Sequence, residues 1–254
     1  MGFIQYAQSK YAYREITDGN RLLYHAEKNS TPFIKRSKLG IHVHGYTEWG
    51  SRTPELPSRV IVKNNIFPTI FQIYRDANPK AEIGVLSEWA GIQFLVDTLS
   101  TDYHAVAPDY NKFPTALCEM AEKYIKENKP SLVAICFDNP DHVGHKEGHD
   151  TPAYYSKLEE LDGYIARIVA AVKEAGMYDD TIFIITSDHG GIKKGHGGKT
   201  MAEMQTPFII AGKNIKKAGE FQESMMQFDT AATIAYVFRL EQPQVWLLPC
   251  RIAS

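Results

Sequence analysis

Cysteine is scarce in this chain. Three residues of 254, Cys118, Cys136 and Cys250, are too few and too scattered for a disulfide framework or a cysteine zinc site. Long apolar runs are missing as well. No stretch approaches the ~18–20 residues that a membrane helix needs, so no membrane partner is expected. The N-terminus, MGFIQYAQSKYAYREITDG, lacks an apolar core of the signal-peptide kind, and no export signal is expected in it. Basic excess is absent too: 28 Lys and Arg stand against 30 Asp and Glu. A broad nucleic-acid footprint needs clustered positive charge, so nucleic acid is not an expected partner. What remains is ordinary globular usage, 44% hydrophobic and 23% charged. A chain of this length can bury a sizeable core without covalent staples.

Pattern is weak at the start and strong later. The first forty residues mix aromatics and charges without period. Beyond them, residues 66–74, 89–99, 115–128 and 227–238 read as helices. Residues 81–86, 131–137, 181–186 and 207–211 are apolar runs of the buried-strand type, with a short strand at 105–107. The clearest helix begins at Thr151, an N-cap residue, with Pro152 in the first helical position. Its apolar positions from Tyr154 to Val172 step by threes and fours, and Gly176 closes it. Strands alternating with helices predict an α/β fold with a largely parallel central sheet and helices on both faces. Ligands in such sheets bind outside the carboxyl ends of the strands.

Five of the nine histidines fall between residues 142 and 196. Strand 131–137 is followed by Asp138-Asn139-Pro140-Asp141-His142-Val143-Gly144-His145. Strand 181–186 is followed by Ser187-Asp188-His189-Gly190-Gly191, and then by Gly195-His196-Gly197-Gly198. Two strand ends thus each present a carboxylate with an imidazole, and a third loop adds another imidazole. Asp and His together suit zinc or manganese. Each piece alone has a plain reading as a loop turn or a surface histidine; the argument is their conjunction at strand ends. His142 is expected to face solvent, and His149 to stand behind the ligands or beside the substrate. Asp162 reads as a residue of a helix's polar face, and Lys193, Lys194 and Lys199 as a solvated loop. Gly198-Lys199-Thr200 imitates the tail of a phosphate-binding P-loop. The required glycine five residues earlier is Lys193, and no long helix follows before Pro207.

Asp141-x-x-Gly144-His145, Ser187-Asp188-His189-Gly190 and Gly195-His196-Gly197, in this order, resemble the alkaline phosphatase superfamily. The type I phosphodiesterase/nucleotide pyrophosphatase branch is the most similar. His44-Gly45 is similar to the pair that follows the nucleophile segment there. The resemblance covers about residues 44–246 and implies an alkaline phosphatase-like hydrolase domain over 41–254. It also implies a site for two divalent metal ions, zinc or else manganese. Asp141, His145 and His196 would hold one, and Asp188 and His189 the other. The implied substrate is a small-molecule phosphate or sulfate ester, attacked in line by a Ser or Thr hydroxyl.

Residues 1–40 depart from that pattern. The hydroxyls nearest the expected nucleophile position are Ser30 and Thr31, in flanking text unlike the family's. Asp18-Gly19 stands too close to them to be the Asp-Gly that ends the family's first strand. The sheet is therefore expected to lack its first strand, and the second metal to lose a ligand. Three alternatives follow: an inactive metal-binding remnant, a sulfatase, or a phosphate-moving mutase of the same superfamily.

Overall fold

The computed structural model describes residues 2–5, 23–28, 68–217, 219–220, 225, 227 and 229–243. Seven strands form one sheet: β1 (Gly2–Gln5), β2 (Leu23–Lys28), β3 (Ile83–Ser87), β4 (Tyr103–Val106), β5 (Leu132–Cys136), β6 (Ile182–Thr186) and β7 (Gln205–Gly212). Their order is β2-β7-β6-β1-β5-β3-β4. From β6 to β4 every pairing is parallel. β7 runs antiparallel to β6, and β2 antiparallel to β7.

The sheet is largely parallel, as expected, and one feature of it differs from expectation. The central place, expected to be empty, is taken by Gly2–Gln5, which pairs in parallel with β5 on one side and β6 on the other. Four residues are too short a run to show period, which is why the segment reads poorly. The reversed direction of β7 is equally invisible in its residues. A strand buried on both faces is apolar throughout whichever way it runs.

Among the described residues six α-helices accompany the sheet: α1 (Ile70–Ala77), α2 (Ala116–Asn128), α3 (Asp141–Glu147), α4 (Pro152–Glu174), α5 (Met201–Met204) and α6 (Asp229–Val237). On one face α2 and α4 pack Leu117, Tyr124, Leu158, Ile165 and Ile168 against Val133, Ile135, Phe183 and Ile185. On the other, α1 and α6 pack Ile70, Phe71 and Ile234 against Val85, Leu132, Ile184 and Phe208. Alternate residues of β5 and β6 therefore face opposite layers, as the period of two requires. Thr151 caps α4 as predicted, accepting from the Tyr154 amide at 3.3 Å. Asp162, expected on the polar face of α4, is 8% exposed and turned inward.

Residues 89–99 contain only a 3₁₀ turn, Ala90–Phe94, where a helix was expected. Leu95 and Val96 are buried against the sheet, and that packing overrides the helical spacing. Conversely, α3 starts where a loop was expected, because Pro140 and Gly144 hide its period. Among the described residues no helix is long and apolar enough to cross a membrane.

Candidate metal centre

β5 and β6 flank β1 in parallel, so their carboxyl ends open at one edge of the sheet. α3 follows β5, and its first residue is Asp141. Spacing of i and i+4 brings His145 onto the same helix face, with Nε2 3.4 Å from Asp141 Oδ2. His196 arrives from the loop after β6. Its Nε2 lies 3.5 Å from Asp141 Oδ1 and 3.0 Å from His145 Nε2. One donor atom from each of the three residues fits within 4.8 Å of the others.

Backbone carbonyls set the histidine tautomers. Ile192 and Gly195 exchange backbone hydrogen bonds at 2.9 and 3.1 Å, closing a tight turn with Lys193 at φ 52°. The lysine side chains point to solvent, as expected. Their carbonyls turn inward: Lys194 O accepts His145 Nδ1–H at 2.9 Å, and Lys193 O accepts His149 Nδ1–H at 3.0 Å. A carbonyl can only accept, so the proton sits on Nδ1 and the lone pair of the neutral ring sits on Nε2. An imidazole held by its far nitrogen in this way is the usual arrangement of a metal-ligating histidine. The donor set, two imidazole nitrogens and a carboxylate oxygen, fits zinc or manganese.

The second pair stands beside the first. His189 Nε2 lies 3.5 Å from Asp188 Oδ2 and 4.0 Å from Asp141 Oδ1. Its ring stacks on His196 with centroids 3.8 Å apart, and its Nδ1 donates to Gly190 O at 2.7 Å. The Gln227 side-chain amide donates to the Ser187 and Asp188 carbonyls. All five residues expected to bind metal therefore meet at one sheet edge. Ser30, Thr31, Asp18 and His44 lie outside the described residues.

His149 is buried and stands behind the ligands, its Nε2 3.7 Å from Asp141 Oδ1. Its ring fills the space beside two glycines. A Cβ on Gly144 or Gly191 would come within 2.4 or 2.2 Å of it. The loop carrying His196 is ordered by Glu203, whose carboxylate accepts from Gly198 N, Thr200 N and Thr200 Oγ1 at 2.8, 3.3 and 2.7 Å. The Thr200 hydroxyl, ahead of the two amides, holds the Glu203 pKa below its ordinary value.

A second group at this edge is absent from the motif reading. Glu88 follows β3 directly, and its Oε2 accepts the Asp138 amide at 2.7 Å. Tyr110 donates its hydroxyl to Asp138 Oδ2 at 2.7 Å and meets the His142 ring edge-on at 5.2 Å. His142, expected to face solvent, is thus half-buried against an aromatic ring. The one signal in the sequence was position, a carboxylate immediately after a predicted strand. Burial, with a smaller contribution from the nearby Asp138 charge, lifts Glu88 from 4.5 to about 7.

A raised carboxyl pKa means that the folded chain holds this proton more tightly than the unfolded chain does. Charging Glu88 therefore destabilises the fold as pH climbs from 4.5 to about 7. Glu88→Gln removes that penalty, and its stability relative to wild type is expected to rise by about 3 kcal/mol across this window. Urea unfolding at pH 5 and pH 8 measures it; a difference independent of pH would contradict the assignment.

Comparison with known proteins adds the lineage. A family model described as type I phosphodiesterase / nucleotide pyrophosphatase matches residues 14–219. The catalytic subunit of human GPI ethanolamine phosphate transferase 2 is 26% identical over 142 residues, covering 54% of this chain and 14% of that protein. This chain therefore matches only a small fraction of the length of that curated relative. Among solved structures, murine ectonucleotide pyrophosphatase / phosphodiesterase 5 superposes with a TM-score of 0.67 at 12% identity, covering 95% of each chain. A 2-O GAG sulfatase superposes with a TM-score of 0.74 at 14% identity, covering 97% of this chain and 72% of that one. These likenesses show the fold.

Proposed function

The chain belongs to the type I phosphodiesterase / nucleotide pyrophosphatase family of the alkaline phosphatase superfamily, and on that premise we propose that it cleaves small-molecule phosphoric esters with divalent metal ions. The observation that carries this reading is the convergence of Asp141, His145 and His196 within 4.8 Å at the carboxyl edge of the sheet. These three would hold one ion, zinc or manganese. Asp188 and His189 would hold a second. Bound there, such ions supply Lewis acidity toward the ester oxygens and lower the pKa of an oxygen nucleophile.

The protein's own part is to fix the donors. Lys193 O and Lys194 O keep the Nε2 lone pairs of His149 and His145 directed inward. Glu203 holds the His196 loop, and Gln227 holds the Asp188 backbone. The reaction is a displacement at phosphorus: a new O–P bond forms, the ester P–O bond breaks, and the alcohol leaves with a proton. Ser30 or Thr31 is the hydroxyl offered as nucleophile. The phosphoryl group can pass to water or to another alcohol, and the human relative bears the name of a transferase.

Elemental analysis of the purified protein, paired with hydrolysis of bis(p-nitrophenyl) phosphate, tests this. About two metal equivalents are expected, with activity lost on chelation and restored by zinc or manganese. A metal-loaded protein that cleaves neither phosphate nor sulfate esters would leave an inactive metal-binding remnant as the better reading.

A further inference from the structure

On the side of α3 facing away from Asp141 and His145 lies an open cavity of about 210 Å3, walled by Glu88, Tyr110, Asn139, His142, Glu160 and Tyr164. The metal group takes residues 141 and 145 of the helix, and the cavity takes 142. One turn of α3 therefore stands between them. Both open on the edge where β3 and β5 end.

The polar groups of the cavity are unevenly matched. Lys157, also in the wall, gives its ammonium to Glu160 at 2.6 Å, and Tyr164 gives its hydroxyl to the same carboxylate. That ion pair is internally neutral. Glu88 and Asp138 form the other acidic group, and their hydrogen-bond donors are neutral, the Asp138 and Asn139 backbone amides and the Tyr110 hydroxyl, with the Lys157 charge acting on Glu88 only from a distance. Among the described residues no cation forms an ion pair with either. Independently of those charges, Asn139 Oδ1 is buried in the wall with no hydrogen-bond donor among the described residues. A buried acceptor without a donor is costly. A small pocket with net negative charge, aromatic walls and an amide oxygen that lacks a donor among the described residues calls for a complementary occupant. That occupant is compact, carries positive charge and bears several N–H donors, which describes a primary ammonium.

We propose that this cavity is a specificity pocket for an ammonium-bearing arm of the ester substrate, with Glu88 and Asn139 as its acceptors. The proposal rests on the ester-cleaving reading and adds the class of substrate to it. A neutral alkyl arm would leave Asn139 Oδ1 without a donor and the Glu88–Asp138 pair without a cation in direct contact. Discrimination of this kind, by a buried polar group left unpaired, exceeds what shape alone achieves.

Calorimetric titration of the metal-loaded protein with 2-aminoethyl phosphate and with ethyl phosphate tests it. The two probes differ only in the ammonium. The wild type is expected to bind 2-aminoethyl phosphate about tenfold more tightly. Glu88→Gln is expected to bring that affinity down to the level of ethyl phosphate. Tyr110→Phe, which takes a neutral donor from Asp138 with little change to the cavity's outline, serves if the Gln variant does not fold; it should raise the preference for 2-aminoethyl phosphate over ethyl phosphate, and a preference lowered or unchanged would overturn the proposal. Equal binding of both probes by wild type would overturn the ammonium pocket and leave the phosphate site standing. Binding of neither would overturn the ester-cleaving reading as well. A Glu88→Gln protein that weakens both probes equally would show a distorted site, and would also overturn the proposal.

Discussion

Asp188→Asn and Asp141→Asn are each expected to lower diester hydrolysis by about a thousandfold or more. That corresponds to on the order of 4 kcal/mol of transition-state stabilisation. Asparagine keeps the size and shape of aspartate, so packing at the strand ends survives. What it removes is the negative charge. Each substitution is also expected to release about one metal equivalent: the ion of the His145–His196 group for Asp141, and the other for Asp188. Changes to groups that only support a ligand typically weaken a metal site ten- to a hundredfold, so an effect this large separates ligand from support. Asp141 Oδ1 lies 3.5 Å from His196 Nε2 and 4.0 Å from His189 Nε2. Its replacement should therefore be the more damaging of the two. Steady-state kinetics with elemental analysis of the same samples decides the matter; full activity in Asp188→Asn would defeat the two-ion site.

Gly190→Ala is expected to cost the fold heavily. A Cβ there would lie 2.0 Å from Ala202 O and 3.0 Å from Gln205 O. Both are backbone atoms, so no rotamer change relieves the contact. The Gly190 amide also donates to Glu203 O at 2.9 Å, which binds the glycine to the segment it would strike. Either α5 moves away from the sheet edge or the hydrogen bond breaks. Overpacking of this severity costs about 3 kcal/mol, a fall in Tm of about 10 °C for a chain of this size. Gly163→Ala is the internal control. It sits within α4, and a Cβ there meets nothing within 4 Å. Helix propensity then predicts a gain of about 1 kcal/mol. Thermal unfolding of both proteins measures the contrast. A Gly190→Ala protein as stable as wild type would mean that α5 is not packed against the His189 turn.

What was legible in the sequence follows from what has a period or a cap. α4 announces itself through Thr151, Pro152 and apolar steps from Tyr154 to Val172. β5 and β6 are apolar through and through because layers cover both their faces. The site was legible for a related reason: in a parallel sheet, residues that directly follow strands share an edge, so Asp141, Asp188 and His189 had to approach one another. His196 needed the resemblance as well, because its loop has no period. The rest was hidden for identifiable reasons. β1 offers four residues and no pattern. The direction of β7 is not written in a doubly buried strand. Glu88 bears on the site through burial and through the Asp138 amide, neither of which a motif encodes.

The place of β1 has a consequence in time. Gly2 pairs with Val133 on one side and Phe183 on the other, so the middle of the sheet is stitched from segments well over a hundred residues apart. During synthesis β1 is made long before either partner exists. The two edges that present Asp141 and Asp188 cannot be set at their proper separation until β6 has been made. Such long-range closure is entropically expensive and makes folding slow. Until it happens, β5 and β6 carry unpaired edges of the kind that aggregate. The same arrangement ties the two halves of the metal centre to one short spacer. Anything that pulls Gly2–Gln5 out of the sheet disassembles both halves together, and the protein should lose metal and sheet in a single cooperative step.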